Sequence, residues 1–197
     1  MKHCSHCGSE VELQIPNGDD RHRHVCTDDD CNAIHYQNPK IIAGYLPVYG
    51  DKVLMCKRAI EPRYGLWTLP AGFMENNESV EEGAARETWE EARAKVELDS
   101  LYTLFSLPQI SQVYMMFRGH LTEPEFSAGP ESLEVALFSE DEIPWDEIAF
   151  PLVKKTLRHF FSDRKTGEYP MRSEAIYKPG TDKKAAFDAP VYRNKKD

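Results

Sequence analysis

Long hydrophobic runs and an excess of positive charge are both missing from this sequence. Its 197 residues contain 24 lysines and arginines against 33 aspartates and glutamates, a formal net charge of −9 at pH 7. No apolar stretch approaches the roughly 20 residues that span a membrane, and residues 1–7 lack the apolar core of a signal peptide. Proteins that wrap nucleic acid usually carry a basic patch, so this acidic balance argues against nucleic acid as a partner. We therefore expect a cytoplasmic protein with no membrane association.

Cysteine is also scarce, yet four of the 5 cysteines lie within the first 31 residues. They form two pairs, Cys4 with Cys7 and Cys26 with Cys31. Cysteines of a cytoplasmic protein are more often metal ligands than disulfide partners, and Zn²⁺ prefers thiolate pairs of about this spacing. We predict a structural zinc ribbon over residues 1–38, in which four protein ligands leave no open position for catalysis. Four nearby histidines are weaker candidate ligands: His3, His6, His24 and His35.

Three glutamates follow a helical spacing near the middle of the chain. Glu87, Glu90 and Glu91 stand at i, i+3 and i+4, so a helix places them on one face, where like charges repel. Ser79 is the predicted N-cap of this helix, with Glu82 at the matching capping-box position. The three carboxylates are hard oxygen ligands of the kind that suits Mg²⁺ or Mn²⁺. The alternative for these three glutamates is a solvated acidic face of the helix. We give that interpretation to Glu81 and Glu82, which lie one to two turns earlier.

The segment from Gly72 to Ala94 resembles the Nudix box, G-x5-E-x7-R-E-U-x-E-E-x-G-U, in which U is a bulky aliphatic residue. Its matched glycine and polar positions are Gly72, Glu78, Arg86, Glu87, Glu90 and Glu91. Thr88 and Ala94 depart from it by replacing bulky aliphatic residues, and Arg93 replaces the last glycine. The predicted ribbon and the Tyr-Gln-Asn-Pro sequence at residues 36–39 are similar to a subgroup of Nudix hydrolases. The resemblance extends from residue 1 to about residue 165.

This resemblance implies an α/β fold, the Nudix α/β/α sandwich with a mixed sheet, preceded by the small zinc ribbon. The Nudix domain is expected over residues 39–165. A C-terminal extension is expected over residues 166–197, either loosely attached or acting as an arm over a partner. Local patterns predict a hairpin around Gly50-Asp51 and a late helix from Pro144 to about residue 162. Further strands are expected over residues 96–105, 112–121 and 133–138.

Nudix enzymes hydrolyse nucleoside diphosphates linked to another group, and the resemblance implies this reaction for the chain. Bound divalent ions neutralise the pyrophosphate charge and lower the pKa of a bound water. The implied ligands of Mg²⁺ or Mn²⁺ are the carbonyl of Gly72 and the carboxylates of Glu87, Glu90 and Glu91. Arg86 is expected to fix a box carboxylate in position. The general base is either a glutamate of the box or, outside it, Glu131, with Glu134 as the second choice.

Arg58, Arg63 and Trp67 precede the box and are our candidates for contacting substrate. Residues 106–114, after the box, lack two of the prolines and the aromatic run that mark NADH pyrophosphatases, and look more like relatives that act on ADP-ribose or FAD. We therefore predict a small-molecule dinucleotide substrate, ADP-ribose or FAD, with release of AMP. NAD(H) and nucleotide-capped RNA are alternatives, as is a non-enzymatic role in nucleotide sensing or RNA binding. The resemblance also implies a homodimer.

Overall fold

A computed structural model describes residues 1–177 and Gly180 of the chain. The chain divides into two compact units, Met1–Pro39 and the part that begins at Lys40. Each unit has a sheet of its own, with three strands in the first and eight in the second. Neither helix in the described residues is long and apolar enough to cross a membrane.

The first unit is a small antiparallel sheet with two turns that carry cysteines. Its strands are β1 (Val11–Gln14), β2 (Arg23–Cys26) and β3 (Ile34–His35), in the order β1-β2-β3. Gly8 closes the first turn with a φ of 82° and an N–H that donates to the Cys4 carbonyl at 3.0 Å. Among residues 1–39, only Cys4, Cys26 and His35 are buried. Burial of apolar surface therefore gives this unit little stability.

The second unit is a mixed sheet with one helix packed on each face. Its strands are β4 (Lys40–Tyr49), β5 (Lys52–Arg58), β6 (Trp67–Thr68), β7 (Ala71–Phe73), β8 (Val96–Leu107), β9 (Gln112–Leu121), β10 (Ser132–Phe138) and β11 (Arg172–Ala175). Its helices are α1 (Val80–Ala92) and α2 (Pro151–Asp163). The main path of the sheet runs β10-β5-β4-β9-β8-β11, with β6 beside β5 and β7 beside β4. The predicted α/β/α sandwich is confirmed.

Alternation along the central strands separates two apolar layers. Leu46 of β4 and Met55 of β5 pack in the cluster that contains the buried residues of α2. Tyr45 packs in a cluster with α1, and Cys56 packs against α1 in another. Because successive side chains of a strand point to opposite faces, this division fixes which side of the sheet each helix covers.

β4 and β5 pair only near their shared turn, through Val48 with Val53 and Tyr49 with Lys52. The hairpin predicted around Gly50 is therefore confirmed. Farther from the turn, β4 and β5 no longer pair with each other. Instead β5 pairs with β6 and β4 pairs with β7, both from the segment that follows β5. That segment leads into α1 and brings the start of the predicted box to the middle of the sheet.

The capping of α1 agrees with the sequence at its start and departs from the box pattern at its end. The Ser79 hydroxyl accepts from the Glu82 N–H at 3.2 Å, and the Glu82 carboxylate accepts from the Ser79 N–H at 2.7 Å. The predicted capping box is therefore confirmed. Arg93, at the glycine position of the box, is the C-cap with a φ of 50°. This left-handed backbone explains why glycine suits the position.

The last helix begins later than the sequence predicts. Residues 145–147 form a short 3-10 turn, and α2 starts only at Pro151, with Phe150 extended at a φ of −131°. The physical reason is Pro151, whose ring disfavours a helical conformation at the preceding residue while suiting the first helical position itself. The prediction that a helix starts at Pro144 is therefore wrong, although the predicted end near residue 162 is close.

The beginning of the expected C-terminal extension contributes a strand to the large sheet. β11 pairs in parallel with β8, with Arg172 opposite Thr103. The Arg172 guanidinium donates to both oxygens of Asp163 at 2.6 and 2.7 Å, and the Tyr102 hydroxyl donates to the same carboxylate at 2.7 Å. These bonds tie β11 to the end of α2 and to β8. Residues 178–179 and 181–197 of the expected extension lie outside the described residues.

Candidate active site

Gly72 lies directly against the carboxylate of Glu87. A β-carbon built on Gly72 would overlap the Glu87 carboxylate group. The position of Gly72 is fixed by β7, which pairs with β4 through Ala43 and Gly72. A glycine at this position lets the Glu87 carboxylate lie directly against β7, so the start of the predicted box and a glutamate of α1 meet in space.

Arg86 is the centre of a network of charged hydrogen bonds on this face of α1. Its Nε and Nη2 donate to the two oxygens of Glu78 at 3.0 and 2.8 Å. Its Nη1 donates to Glu87 at 2.7 Å and to Glu90 at 3.1 Å. Nη2 also donates to the Phe73 carbonyl at 3.1 Å. The Arg86 bond lowers the pKa of Glu78 to about 2, so Glu78 stays ionised and holds the guanidinium in place.

Glu91 is buried, with 6% of its surface exposed. Its Oε2 has no hydrogen-bond partner among the described residues. Burial raises the pKa of Glu91 to about 8, and the neighbouring Glu87 charge adds to the effect, while the Arg58 charge opposes it. Burial likewise raises the pKa of Glu87. A buried carboxylate oxygen without a partner is costly, and a divalent cation is the kind of group that satisfies it.

The loop before β10 is attached to the end of α1 and brings Glu131 to the site. The Gly129 N–H donates to the Glu91 carbonyl at 3.0 Å, and the Glu131 carbonyl accepts from the Ala59 N–H at 2.8 Å. The Glu131 charge contributes to raising the pKa of both Glu91 and Glu87, after burial as the main cause. Glu131 is thus close enough to the box glutamates to act on them electrostatically.

Glu134, the second candidate base, occupies a different environment. Its carboxylate lies 3.8 Å from the Lys57 ammonium, in a part of β10 that pairs with β5. The Lys57 ammonium in turn lies 5.6 Å from the centre of the Trp67 ring. The structure therefore groups Glu131, rather than Glu134, with the box glutamates.

The three candidates for substrate contact have different surroundings. Trp67 is 5% exposed and packs edge-on against Phe138, with ring centres 4.8 Å apart, so its indole belongs to the core and not to a surface that stacks on substrate. Arg63 is exposed in the loop between β5 and β6 and has a φ of 72°. Arg58, at the end of β5, is partly buried, and its positive charge opposes the rise in the pKa of Glu91.

The four cysteines of the first unit converge on one point. All four sulfurs lie within 4.8 Å of one another, with 3.8 Å between Cys4 and Cys31 and 3.4 Å between Cys7 and Cys26. Zn–S bonds of about 2.3 Å in a tetrahedron separate neighbouring sulfurs by roughly 3.8 Å. His35 Nε2 lies 3.2 Å from the Cys4 sulfur, a contact suited to orienting a thiolate ligand. The geometry fits a structural zinc ion.

No comparable cluster forms among the carboxylates of residues 1–177. Glu87 and Glu90 are instead drawn to Arg86. A divalent ion at Glu91 therefore has to compete with Arg86 for these two carboxylates. The donor set remains suitable for Mg²⁺ or Mn²⁺, because it consists of hard carboxylate oxygens, one of which is buried and has no partner among the described residues.

Comparison with known protein families shows which family this chain belongs to. The profile of the NUDIX domain matches residues 39–163, well over half of the chain. The chain belongs to the Nudix hydrolase family. The Nudix N-terminal zinc-ribbon profile matches residues 2–37, the segment that holds the cysteine cluster.

Individual Nudix relatives differ in how much of the chain they match. A NUDIX hydrolase from Nitrosomonas europaea is 54% identical, superposes with a TM-score of 0.87, and covers 90% of this chain and 100% of its own. A MutT-like protein of Streptomyces ambofaciens is 31% identical over 102 residues, 52% of this chain. An ADP-ribose pyrophosphatase of Methanocaldococcus jannaschii is 29% identical over 116 residues, 55% of this chain. The match spans 64% and 67% of these two curated relatives.

One residue next to this Nudix site was missed by sequence reasoning. Gly129 contacts the end of α1 so closely that a β-carbon on it would overlap the Glu90 carbonyl. Its only sequence signal is a glycine before a proline, which is typical of any turn.

Proposed function

We propose that this Nudix hydrolase cleaves the diphosphate bond of a nucleoside diphosphate derivative, with ADP-ribose or FAD as the substrate and AMP as one product. The observation that carries the proposal is the buried, unpartnered Glu91 oxygen, grouped with Glu87 and Glu131. The Methanocaldococcus relative, an ADP-ribose pyrophosphatase by name, supports ADP-ribose as the first choice. NAD(H) and nucleotide-capped RNA remain the alternative substrates.

The proposed chemistry is hydrolysis at phosphorus. Mg²⁺ or Mn²⁺ bound to Glu87, Glu90, Glu91 and the Gly72 carbonyl would neutralise phosphate charge and lower the pKa of the attacking water. In our proposal Glu131 accepts the proton of that water as its oxygen bonds to phosphorus. The bond from phosphorus to the bridging oxygen then breaks, and ADP-ribose yields AMP and ribose 5-phosphate. Arg86 holds the box carboxylates in position.

Two further features belong to the same proposal. We propose that Cys4, Cys7, Cys26 and Cys31 bind one structural Zn²⁺, supported by the spacing of their sulfurs. We also propose a cytoplasmic homodimer, as the family resemblance implies; light scattering of the purified protein tests the oligomeric state.

A product assay tests the proposed function. The full-length protein is incubated with Mg²⁺ or Mn²⁺ and ADP-ribose, FAD, NADH, NAD⁺ or an NAD-capped RNA. AMP is resolved chromatographically for the small substrates. Capped RNA is monitored by release of nicotinamide mononucleotide, because its adenosine stays in the RNA chain. We expect AMP from ADP-ribose or FAD well above the other substrates. Preference for NADH or for capped RNA would reject the substrate assignment. Metal-independent turnover would reject the proposed metal-dependent mechanism, and absence of turnover on all five substrates would reject the proposed activity.

Two matched variants identify the base. Glu131→Gln and Glu134→Gln each remove one carboxylate charge without changing side-chain size. Loss of a general base typically costs 10²–10⁴-fold in rate, so we expect a loss on the order of 100-fold or more for Glu131→Gln. Because Glu134 pairs with Lys57, we expect Glu134→Gln to stay within about threefold of the unchanged enzyme. The reverse order would assign the role to Glu134, and full activity in both would leave a box glutamate as the base.

A further inference from the structure

We propose that the ribbon carries a redox-sensitive modification site, at which hydrogen peroxide oxidises Cys7 and Cys26 to a disulfide and the zinc ion is released. This inference rests on the four-cysteine zinc site of the proposed function and adds a reaction to it. The reaction concerns the first unit alone and is separate from hydrolysis at the box.

The four cysteines differ in their exposure to solvent. Cys7 is exposed, together with the rest of residues 5–8. Cys4 and Cys26 are each 3% exposed, and Cys31 is partly buried. Oxidation of a cysteine requires thiolate character and access to the sulfur. Because every cysteine that binds zinc does so as a thiolate, exposure decides which of them reacts first, and it selects Cys7.

Cys4, the other cysteine of the first pair, is covered by its neighbours. The His6 N–H donates to the Cys4 sulfur at 3.4 Å, and the His35 Nε2 lies 3.2 Å from the same sulfur. His35 is itself buried. These groups occupy space that a peroxide molecule would need in order to reach Cys4, so we expect Cys4 to react more slowly than Cys7.

Cys26 is placed to complete the reaction. Its sulfur lies 3.4 Å from that of Cys7, compared with 3.8 Å between Cys4 and Cys31. Cys26 ends β2 and is held there by pairing with Val11 of β1. An accessible cysteine next to a second, resolving cysteine is the arrangement found at redox-sensor sites. The disulfide would therefore join the two turns that carry cysteines, and not the two members of one sequence pair.

The turn that carries Cys7 is open on its outer side. Gly8, the next residue, has a φ of 82°, and a β-carbon built on it would have no atom of the described residues within 4 Å. A shift of this turn that brings the Cys7 sulfur onto Cys26 therefore displaces no packed side chain at Gly8.

The two chemical steps balance without any group from the box. The Cys7 thiolate attacks one oxygen of the peroxide, an S–O bond forms, the O–O bond breaks, and hydroxide leaves and is protonated by solvent. The Cys26 thiolate then attacks the Cys7 sulfur, an S–S bond forms, and the S–O bond breaks with loss of hydroxide. The two cysteines lose two electrons and the peroxide gains them. Two cysteine thiolates then remain, whereas a structural zinc ion needs four ligands, so the ion is released.

The charge around the site favours an uncharged oxidant. Asp28, Asp29 and Asp30 lie between the two cysteines of the second pair. The Asp28 carboxylate accepts from the Ser9 hydroxyl at 3.1 Å, which places its charge beside the first turn. Negative charges repel an anionic oxidant and do not repel hydrogen peroxide, which is neutral at pH 7. We therefore assign hydrogen peroxide as the oxidant.

Two histidine substitutions provide a matched test. Cys7→His and Cys31→His each keep a zinc ligand, because three cysteines and one histidine form a common structural zinc site. Only Cys7→His removes the thiol that we assign to the first step. The full-length protein and both variants are loaded with zinc in reducing buffer, the reductant is removed, and hydrogen peroxide is added. A chromogenic chelator follows zinc release, and the rate without peroxide is subtracted.

We expect Cys31→His to release zinc within about threefold of the rate of the unchanged protein, and Cys7→His to release it at least roughly tenfold more slowly. The peroxide-treated unchanged protein is then alkylated in denaturant and mapped by mass spectrometry, which should show a disulfide between Cys7 and Cys26. Cys56, a buried thiol of the second unit, should be alkylated in full and serves as the internal control. A thiol reductant with added Zn²⁺ should restore the zinc content.

Two results would overturn the assignment of the cysteines. The first is equally fast zinc release from Cys7→His and Cys31→His. The second is a disulfide map of the unchanged protein that lacks the bond between Cys7 and Cys26. If either variant binds no zinc, this map decides the assignment by itself, because it needs no substitution.

The zinc content before treatment separates this proposal from the zinc site on which it rests. Unchanged protein that binds no zinc after reduction and addition of Zn²⁺ would reject the four-cysteine site, and the proposed reaction with it. Zinc-loaded protein that keeps its zinc in hydrogen peroxide would reject the reaction alone and leave the zinc site standing.

Discussion

Gly72 and the Glu87 carboxylate are packed so closely that no β-carbon fits between them. The Gly72→Ala variant should therefore displace Glu87 or force β7 away from α1. We expect a loss of turnover on the order of 100-fold, because small misplacements in an active site have effects of this size. Overpacking should also lower the free energy of unfolding by about 1–3 kcal/mol. Turnover at saturating Mn²⁺ and chemical denaturation measure the two effects.

A double-mutant cycle isolates the cause. If the overlap with Glu87 is responsible, then adding Glu87→Ala to Gly72→Ala should cost less stability than the two single changes together. Strict additivity of the two stability losses would mean that Gly72 matters for another reason.

Gly129 holds the Glu131 loop against the end of α1, and Gly129→Ala should move that loop. The added methyl group would overlap the Glu90 carbonyl, which is backbone and gives way less easily than a side chain. We expect a fall in turnover of at least tenfold because Glu131 loses its position. Mn²⁺ affinity, measured by titration, should change less than turnover. Unchanged turnover in Gly129→Ala would show that the position of this loop does not matter for the reaction.

Glu91 should give the metal-free protein a particular dependence of stability on pH. Its pKa of about 8 in the folded protein exceeds the ordinary value near 4.3. At pH values between these two, the folded state therefore binds more protons than the unfolded state. Stability should therefore fall as pH rises from about 5 to 8, by on the order of 3 kcal/mol. Denaturation in EDTA at several pH values measures this slope.

Two variants show whether Glu91 is the source of that slope. Glu91→Gln has no ionising group and should lose most of the dependence, while Glu81→Gln, at an exposed position of α1, should keep it. The same slope in Glu91→Gln and Glu81→Gln would contradict the assignment.

Zinc should be needed for the folding of the ribbon and not for chemistry at the box. Elemental analysis of protein purified in reducing buffer should give one zinc per chain. Cys26→Ser should lose the metal and the ordered ribbon, because binding energy of the ion is folding energy for so small a unit. Cys56→Ser, which changes a buried thiol of the second unit, should keep the zinc and the ordered ribbon. No zinc in the unchanged protein, or full zinc in Cys26→Ser, would reject the four-cysteine site.

Sequence reasoning succeeded where the signal is local. The capping box depends on Ser79 and a glutamate three residues later, and the hairpin at Gly50 depends on a short turn, so both are visible in the sequence. The late start of α2 was missed because helical periodicity outweighed the effect of Pro151 on the residue before it. The burial of Trp67, a candidate for contacting substrate, was not visible in the sequence because it depends on distant partners such as Phe138.

The arrangement of the candidate site shows the same limit. The spacing of the box glutamates predicted that they share a helical face. It did not predict that Arg86 would contact three carboxylates at once, or that Gly129 would attach the Glu131 loop to the end of α1. These relationships are set by how the loops and strands come together, and no local pattern records them.

β11 has a practical meaning for the boundaries of this protein. The NUDIX profile ends at residue 163, whereas the sheet continues through β11 at residues 172–175. A chain shortened at residue 163 would lose the strand that covers β8 and the Arg172 partner of Asp163. The uncovered strand would present a row of free backbone donors and acceptors, which is a known route to aggregation. Poor solubility of such a fragment would reflect a missing edge strand and would say nothing against the catalytic core.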